Sequence, residues 1–422
     1  VQRADAGSGA GAGPGGGPAG PGARGAAATG APGGAQPRAL GAGPAIDLEA
    51  EADRARCGAL KDFWYVACLS SELSPARPLR RTILGTPLAL FRQEDGSPAA
   101  LLDRCLHRNT RLSAGTVWKG QLACPYHGWT YDGTGACTLI PSLGPAQHAE
   151  VLGAPAHAAA RLALAPVDVG RVERFAAVEE GGLVFVYMGG DSARARRQAF
   201  RTPEWGRAGW VVYFMVTRFS NGVTNLVENF MDVPHTVFVH RGWFRDRAQR
   251  RVPARVERAD GSVLVTYEEG QGSLSGLGRI FNPRGLPVVH TDRFVVPNVT
   301  RVDYRWGDAG FVITSQCTPV GAVDSMVYTA ISYRLPFDLP GRLVARALMP
   351  FIRWYTRQVI AQDVGIMTAQ RDGLLGAPGG GLFQGTEADL PHADIEAYRR
   401  WLLAGGAAPP PGDDDRRIGF WI

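Results

Sequence analysis

The sequence predicts an α+β protein. An all-β domain is expected over residues 60–190, followed over 191–410 by an α+β domain with an antiparallel sheet and a long C-terminal helix. Three observations predict it. Strand-length apolar runs separated by turn residues fill 60–190. Apolar and polar residues alternate through much of 255–335, the period of strands with one buried face. Residues 342–371 instead repeat their apolar positions at helical spacing.

The elements follow in order. Residues 1–50 are almost entirely Gly, Ala and Pro up to about position 45. Such a composition cannot bury enough apolar surface to offset the entropy of ordering, which predicts a disordered tail. Gly11 to Gly16 match G-x-G-x-x-G, but no strand pattern precedes them and no helix pattern follows, so the match is compositional. Phe63-Trp64-Tyr65-Val66 open the ordered chain. Leu88–Phe91 and Ala99–Leu102 flank the turn-forming Gln93–Pro98 and predict a hairpin. Leu183–Tyr187 is a strand bounded by glycines, and Trp210–Val216 is another. Leu226, Val227, Phe230 and Met231 share a helical face within 224–240. Pro234 disturbs that helix, which is expected to end or loosen between His235 and His240. In the long C-terminal stretch, Leu343, Val344, Leu348, Phe351, Ile352, Tyr355, Val359 and Ile360 are expected on or near one apolar face.

Of the 422 residues, 45% are hydrophobic and 20% charged, as in soluble globular proteins. No apolar run reaches the ~18–20 residues that cross a bilayer, so no integral membrane segment is expected. The formal net charge is +6, and Lys61 and Lys119 are the only lysines. The arginines are scattered and no nucleic-acid motif accompanies them, which argues against a nucleic-acid partner. One group, Arg241, Arg245, Arg247, Arg250, Arg251, Arg255 and Arg258, reads as a solvated loop, or else as a docking face for an acidic partner. The six cysteines form no small disulfide scaffold and follow no secretory signal, which predicts a reducing, cytoplasmic setting. The alternative is an organelle such as a plastid, if the arginine-containing, acid-poor tail is a transit peptide.

Two of those cysteines, with two histidines, carry chemistry. Cys105-x-His107 and Cys124-x-x-His127 lie in two short segments with loop-tip composition, separated by residues 108–123. A structural zinc also takes two Cys and two His, but zinc fingers pair Cys with Cys and His with His. A [2Fe–2S] cluster with two thiolates on one iron and two imidazoles on the other needs one Cys and one His from each of two loops. Cys57, Cys68, Cys137 and Cys317 lack ligand-like spacing and are expected as small buried apolar residues.

A second constellation lies in Asn229-x-x-Asp232-x-x-His235, with His240 beyond it. Asp232 and His235 are three residues apart, within side-chain reach on a helix. Two histidines and a carboxylate on one face of Fe(II) leave positions open for dioxygen.

The segment Cys124-Pro125-Tyr126-His127-Gly128-Trp129, with Tyr131 to Gly135 after it, resembles the second ligand loop of the Rieske family. Cys105-Leu106-His107-Arg108, then Leu112-Ser113 and Gly115, resembles the first, with Leu106 where many members have Pro. The motif from Asn229 to His240 is similar to the mononuclear iron motif of Rieske non-haem iron oxygenases, above all those with a single subunit type. The resemblance implies an all-β Rieske [2Fe–2S] domain followed by a helix-grip-like catalytic domain. Cys105, His107, Cys124 and His127 would hold the cluster. His235, His240 and an aspartate of the long helix would hold Fe(II): Asp363 in Ile360–Ile366, with Asp372 as fallback. Asp232 would bridge His235 to His127 of a neighbouring subunit, with Asn229 in support. Subunits would assemble head to tail as a homotrimer, because the two centres of one chain lie too far apart. The oxygenase would take electrons from a separate reductase, with or without a ferredoxin, and use O2 to oxidise an aromatic or other cyclic substrate by hydroxylation, demethylation or dihydroxylation. The alternative is an electron carrier or redox-sensing binding protein without oxygenase activity. His148, His157, His290 and His392 are given no role.

Overall fold

A computed structural model describes residues 41–43, 59–143, 169–189, 198–243, 251–268, 282, 284–336, 339–377 and 383–421. Gly11–Gly16, Cys57, His148, His157, Arg245, Arg247 and Arg250 lie outside these, as does the expected tail except for Gly41–Gly43. That segment is not structureless: it forms strand β1, antiparallel to β20 (Phe383–Gly385).

Among the described residues of 60–190, the strands form three small antiparallel sheets, in keeping with the expected β character. One contains β2 (Trp64–Leu69), β11 (Ala177–Glu180) and β12 (Leu183–Tyr187). The second contains β3 (Leu79–Ile83), β4 (Thr86–Arg92), β5 (Pro98–Leu102) and β10 (Arg174–Phe175), with the predicted hairpin as β4–β5. The third carries β6 (Thr116–Trp118), β7 (Gln121–Ala123), β8 (Thr130–Tyr131) and β9 (Cys137–Leu139).

The second half is built on one antiparallel sheet. Its strands are β13 (Val211–Phe219), β14 (Arg251–Ala259), β15 (Ser262–Tyr267), β16 (Val289–Val295), β17 (Val299–Trp306), β18 (Ala309–Gly321), β19 (Asp324–Arg334) and β21 (Asp414–Trp421). They lie in the order β13-β19-β18-β17-β16-β15-β14-β21, so the sheet takes in residues beyond 410. One face packs on helices α1 (Val223–Met231), α2 (Leu339–Gly376) and α3 (Leu390–Leu403). The opposite face of β18 and β19 meets the first sheet: Thr318 Oγ1 donates to the Val66 carbonyl (2.8 Å) and the Tyr328 hydroxyl to that of Ala67 (2.5 Å). Strands covered on both faces lose the alternation that β14 and β15 keep. Residues 38–422 accordingly form one compact unit.

Two sequence expectations are corrected. The buried positions of α2 include Ala345, Ile352, Thr356, Asp363, Met367 and Leu374, which alternate spacings of seven and four, two near-whole numbers of turns. Leu343, Val344 and Phe351, expected on the apolar face, are exposed. The arginine group is not a loop at its C-terminal end. Arg251, Arg255 and Arg258 lie on β14, where Arg255 pairs with Asp415 (2.6 Å) and Arg258 with Asp394 (2.6 Å). Of the unassigned cysteines described, Cys68 and Cys317 are buried as expected, whereas Cys137 is half-buried.

Candidate metal centres

The two Cys-His segments fold into matching loops. The Cys105 N–H donates to the Thr110 carbonyl and the Cys124 N–H to that of Trp129, both at 2.8 Å. The chain then closes on itself: Asn109 N–H reaches the Cys105 carbonyl and Gly128 N–H the Cys124 carbonyl, both at 3.0 Å. Each closing residue has a positive φ, 57° for Asn109 and 70° for Gly128. Asn tolerates that region and Gly is free in it. A Cβ on Gly128 would also lie 2.9 Å from Pro141.

The loops bring their four candidate ligands together. Cys105 and Cys124 are both buried and free of disulfides. The neighbouring Cys124 thiol, and then the Tyr131 hydroxyl at 3.2 Å from the Cys105 sulfur, hold the Cys105 pKa well below the usual thiol range. The imidazoles of His107 and His127 lie 4.6 Å apart, and His107 stacks on Trp129 at 4.8 Å. His107 Nδ1 is buried with no hydrogen-bond partner. A buried polar nitrogen costs about 1–3 kcal/mol unless something satisfies it, and a metal does so. Two adjoining thiols, two adjoining imidazoles and this orphaned nitrogen fit a Rieske cluster. The His127 side of the site is solvent-exposed, with Tyr126 63% exposed beside it.

The second site is assembled from α1, the turn after it and α2. Helix α1 ends at Met231, with Asp232 extended at its C-cap (φ −87°, ψ 111°). Pro234 then begins a 3-10 turn, Pro234–Val237. The break therefore precedes Asp232, rather than falling between His235 and His240 as expected. Pro234 lacks the N–H that would continue the helix, so α1 cannot run through it, and the chain leaves the helix at Asp232 although Val233 is again helical (φ −79°, ψ −39°). Asn221 fixes the start of α1 against α2, its amide donating to the Met367 carbonyl and to Gln370 Oε1, both at 2.9 Å. Arg399 on α3 donates to Thr224 Oγ1 (2.7 Å).

In this frame His235 Nε2 lies 3.2 Å from His240 Nε2, and Asp363 Oδ1 is 3.2 Å from the second and 3.7 Å from the first. Among the described residues these three form the group whose ligand atoms lie within 4.8 Å of one another. Bonds of about 2.1 Å at right angles place ligand atoms about 3.0 Å apart, so the donor set fits one face of an octahedral ion. The supports are in place as well. Gln362 Oε1 is 2.9 Å from His240 Nδ1, Asn229 donates to Asp363 (3.2 Å), and Asp232 Oδ2 lies 3.6 Å from His235 Nδ1, a buried atom without a hydrogen bond. Burial opposes protonation of His240, but Asp363 outweighs it and the His240 pKa is raised. Asp372, the fallback, is exposed and paired with Arg371. Sequence reasoning gave no role to Gln362 or to the buried pair His290–Asp292, which faces the same cavity.

Comparison with known proteins agrees with this architecture. Residues 63–155 match the Rieske [2Fe-2S] domain and residues 222–393 the vanillate O-demethylase oxygenase C-terminal domain. These two domains in this order define the oxygenase components of Rieske non-haem iron oxygenases, and the chain belongs to that family. The oxygenase component of dicamba O-demethylase from Stenotrophomonas maltophilia is 37% identical over 59% of this chain and 63% of its own length. Methylxanthine N1-demethylase from Pseudomonas putida is 28% identical over 50% of this chain and 56% of its length. The matches thus span less than two thirds of these relatives. The crystal structure of dicamba monooxygenase bound to dicamba shares the fold, with a TM-score of 0.66 at 24% identity, over 83% of this chain and 99% of that one. No described helix is long and apolar enough to cross a membrane.

Proposed function

We propose that the chain is an oxygenase in which Cys105, His107, Cys124 and His127 hold a Rieske cluster, and His235, His240 and Asp363 hold a mononuclear Fe(II). The convergence of those last three side chains from α1's turn and from α2 carries the reading, because an electron carrier has no use for it. When bound, the cluster supplies electrons and the ferrous ion supplies O2 activation for oxidation of an aromatic or other cyclic substrate by hydroxylation, demethylation or dihydroxylation. The protein's own part is orientation. Gln362 and Asp232 face the outer nitrogens of His240 and His235, and Asn229 holds the Asp363 carboxylate.

We divide the chain into a Rieske domain, residues 60–190, and a catalytic domain from 191 to the end of β21. Asp232 is partly solvent-exposed, and His127 is exposed on the other domain. Both are open to a second copy of the chain, which supports a head-to-tail homotrimer with Asp232 facing the neighbour's His127. The cytoplasm is the proposed setting, and a separate reductase, with or without a ferredoxin, the electron source. The test is oxygen consumption with a matched substrate. NADH alone should give none, and addition of a Rieske-system reductase should start it. NADH-driven turnover by this chain by itself would refute the need for a partner.

A further inference from the structure

The cavity beside His235, His240 and Asp363 has a volume of about 120 Å³. Its wall is the helix-facing side of the large sheet, and register sorts that wall into rows. One row runs Tyr267, His290, Tyr304 across β15, β16 and β17. The next runs Asp292, Val302, Ile313, Ile331 across β16 to β19, and a third Thr300, Ser315, Thr329 across β17 to β19. An aromatic-polar row, a largely apolar row and a hydroxyl row therefore lie side by side.

The polar residues of the first two rows form one unit. His290 is fully buried, and its imidazole is sandwiched between Tyr267 (4.4 Å) and Tyr304 (4.2 Å). Its Nε2 lies 3.0 Å from Asp292 Oδ1. His290, Asp292 and Tyr304 all line the cavity. An imidazole hydrogen-bonded to an ionised carboxylate carries a net charge of zero or −1, never +1. No arginine or lysine is among the described residues lining the cavity. In a buried site of low dielectric, a substrate anion placed against Asp292 meets repulsion and loses its hydration without compensation. An uncharged group with N–H or O–H donors meets a carboxylate acceptor at one end and the Ser315–Thr329 hydroxyl pair (3.3 Å) at the other.

We propose that His290 and Asp292 form the substrate-recognising subsite of this cavity, selecting an uncharged ring with a hydrogen-bond donor over a ring bearing a carboxylate or sulfonate. The inference rests on reading the cavity as the oxygenase site. Tyr267 and Tyr304 lock the imidazole plane, so Asp292 is held in place before substrate arrives.

The test is calorimetric binding of para-methoxybenzamide and para-methoxybenzoate to the metal-loaded chain. The two are near-isosteric and differ by one charge. The amide should bind about tenfold tighter or better, a difference of about 1.4 kcal/mol or more. Asp292→Asn keeps the shape and removes the charge, and should bring the two affinities within about threefold of each other. A merely structural Asp292 would weaken both ligands alike and leave their ratio unchanged, which would overturn the assignment. Benzoate binding as tightly as benzamide to the wild type would overturn it without recourse to the variant, and so would binding of neither. Iron measured on the same samples separates the two readings: full iron with no charge preference sinks the subsite alone, whereas missing iron sinks the oxygenase site.

Discussion

Two imidazole nitrogens and a carboxylate oxygen that converge to 3.2–3.7 Å in a half-buried cavity form a costly arrangement for a protein by itself, and a divalent cation makes it favourable. His235→Ala should therefore leave the visible spectrum of the cluster intact, lower iron by about one per chain and abolish turnover. Metal analysis beside an absorption spectrum checks this, and surviving turnover would remove His235 from the ligand set. Asp232 holds a different place, 3.6 Å from the outer nitrogen of His235. Asp232→Ala should keep both metals and slow electron transfer between them, by about tenfold or more if it behaves like other residues that orient metal ligands. Single-turnover kinetics report this directly, and an unchanged rate would exclude the bridge. At this scale the sequence is most legible where the candidate ligands are local. Cys105 with His107 and Cys124 with His127 each sit within one loop, so spacing alone places each pair. Gln362 and the His290–Asp292 pair were not legible, because strand register and helix docking bring them to the site from distant parts of the chain.

Element boundaries follow local chemistry more closely than apolar spacing does. The pattern over 224–240 suggests one helix loosening near its end, but α1 ends before Asp232, whose carboxylate sits at an extended C-cap, and Pro234, without an N–H, cannot rejoin it. Helix α2 was legible as a helix, yet its buried stripe was not. Strands β13 and β19 cover Ala345 and Ile352 and leave Leu343 and Phe351 outside, a choice that needs the sheet's position. Helix α3 carries a charge pair with a pH signature. His392 on its first turn lies 3.5 Å from Asp389. Burial opposes the imidazolium, but Asp389, together with the charges of Asp232 and Glu228, more than offsets it and raises the His392 pKa to about 9. Burial likewise opposes the Asp389 carboxylate, but hydrogen bonds from His392 and Thr386 draw its pKa down to about 2. A raised histidine stabilises the fold fully below its ordinary 6.5 and loses that contribution as pH rises through 9. A lowered aspartate stabilises above its ordinary 3.8 and loses that contribution as pH falls through 2. Denaturation midpoints should thus decline between pH 6.5 and 9 in the wild type. In His392→Ala the decline should be shallower, and an equal slope in both would show that the pair contributes nothing.

Across the whole molecule the large sheet serves two neighbours. Its helix-facing side walls the cavity beside His235, His240 and Asp363, and its other side at β18 and β19 seats the first β domain through Thr318 and Tyr328. The α+β class and the order of the two domains were legible from period changes along the chain. The participation of Asp414–Trp421 in the sheet was not, because pairing with β14 across so many intervening residues leaves no local trace. A layout with a sulfur-bridged iron pair at one site and a lone ferrous ion at another has a composition that no carrier shares. Iron and acid-labile sulfide in the purified, reconstituted chain test this most directly. The account predicts about three irons and two sulfides per chain, whereas about two irons to two sulfides would contradict it.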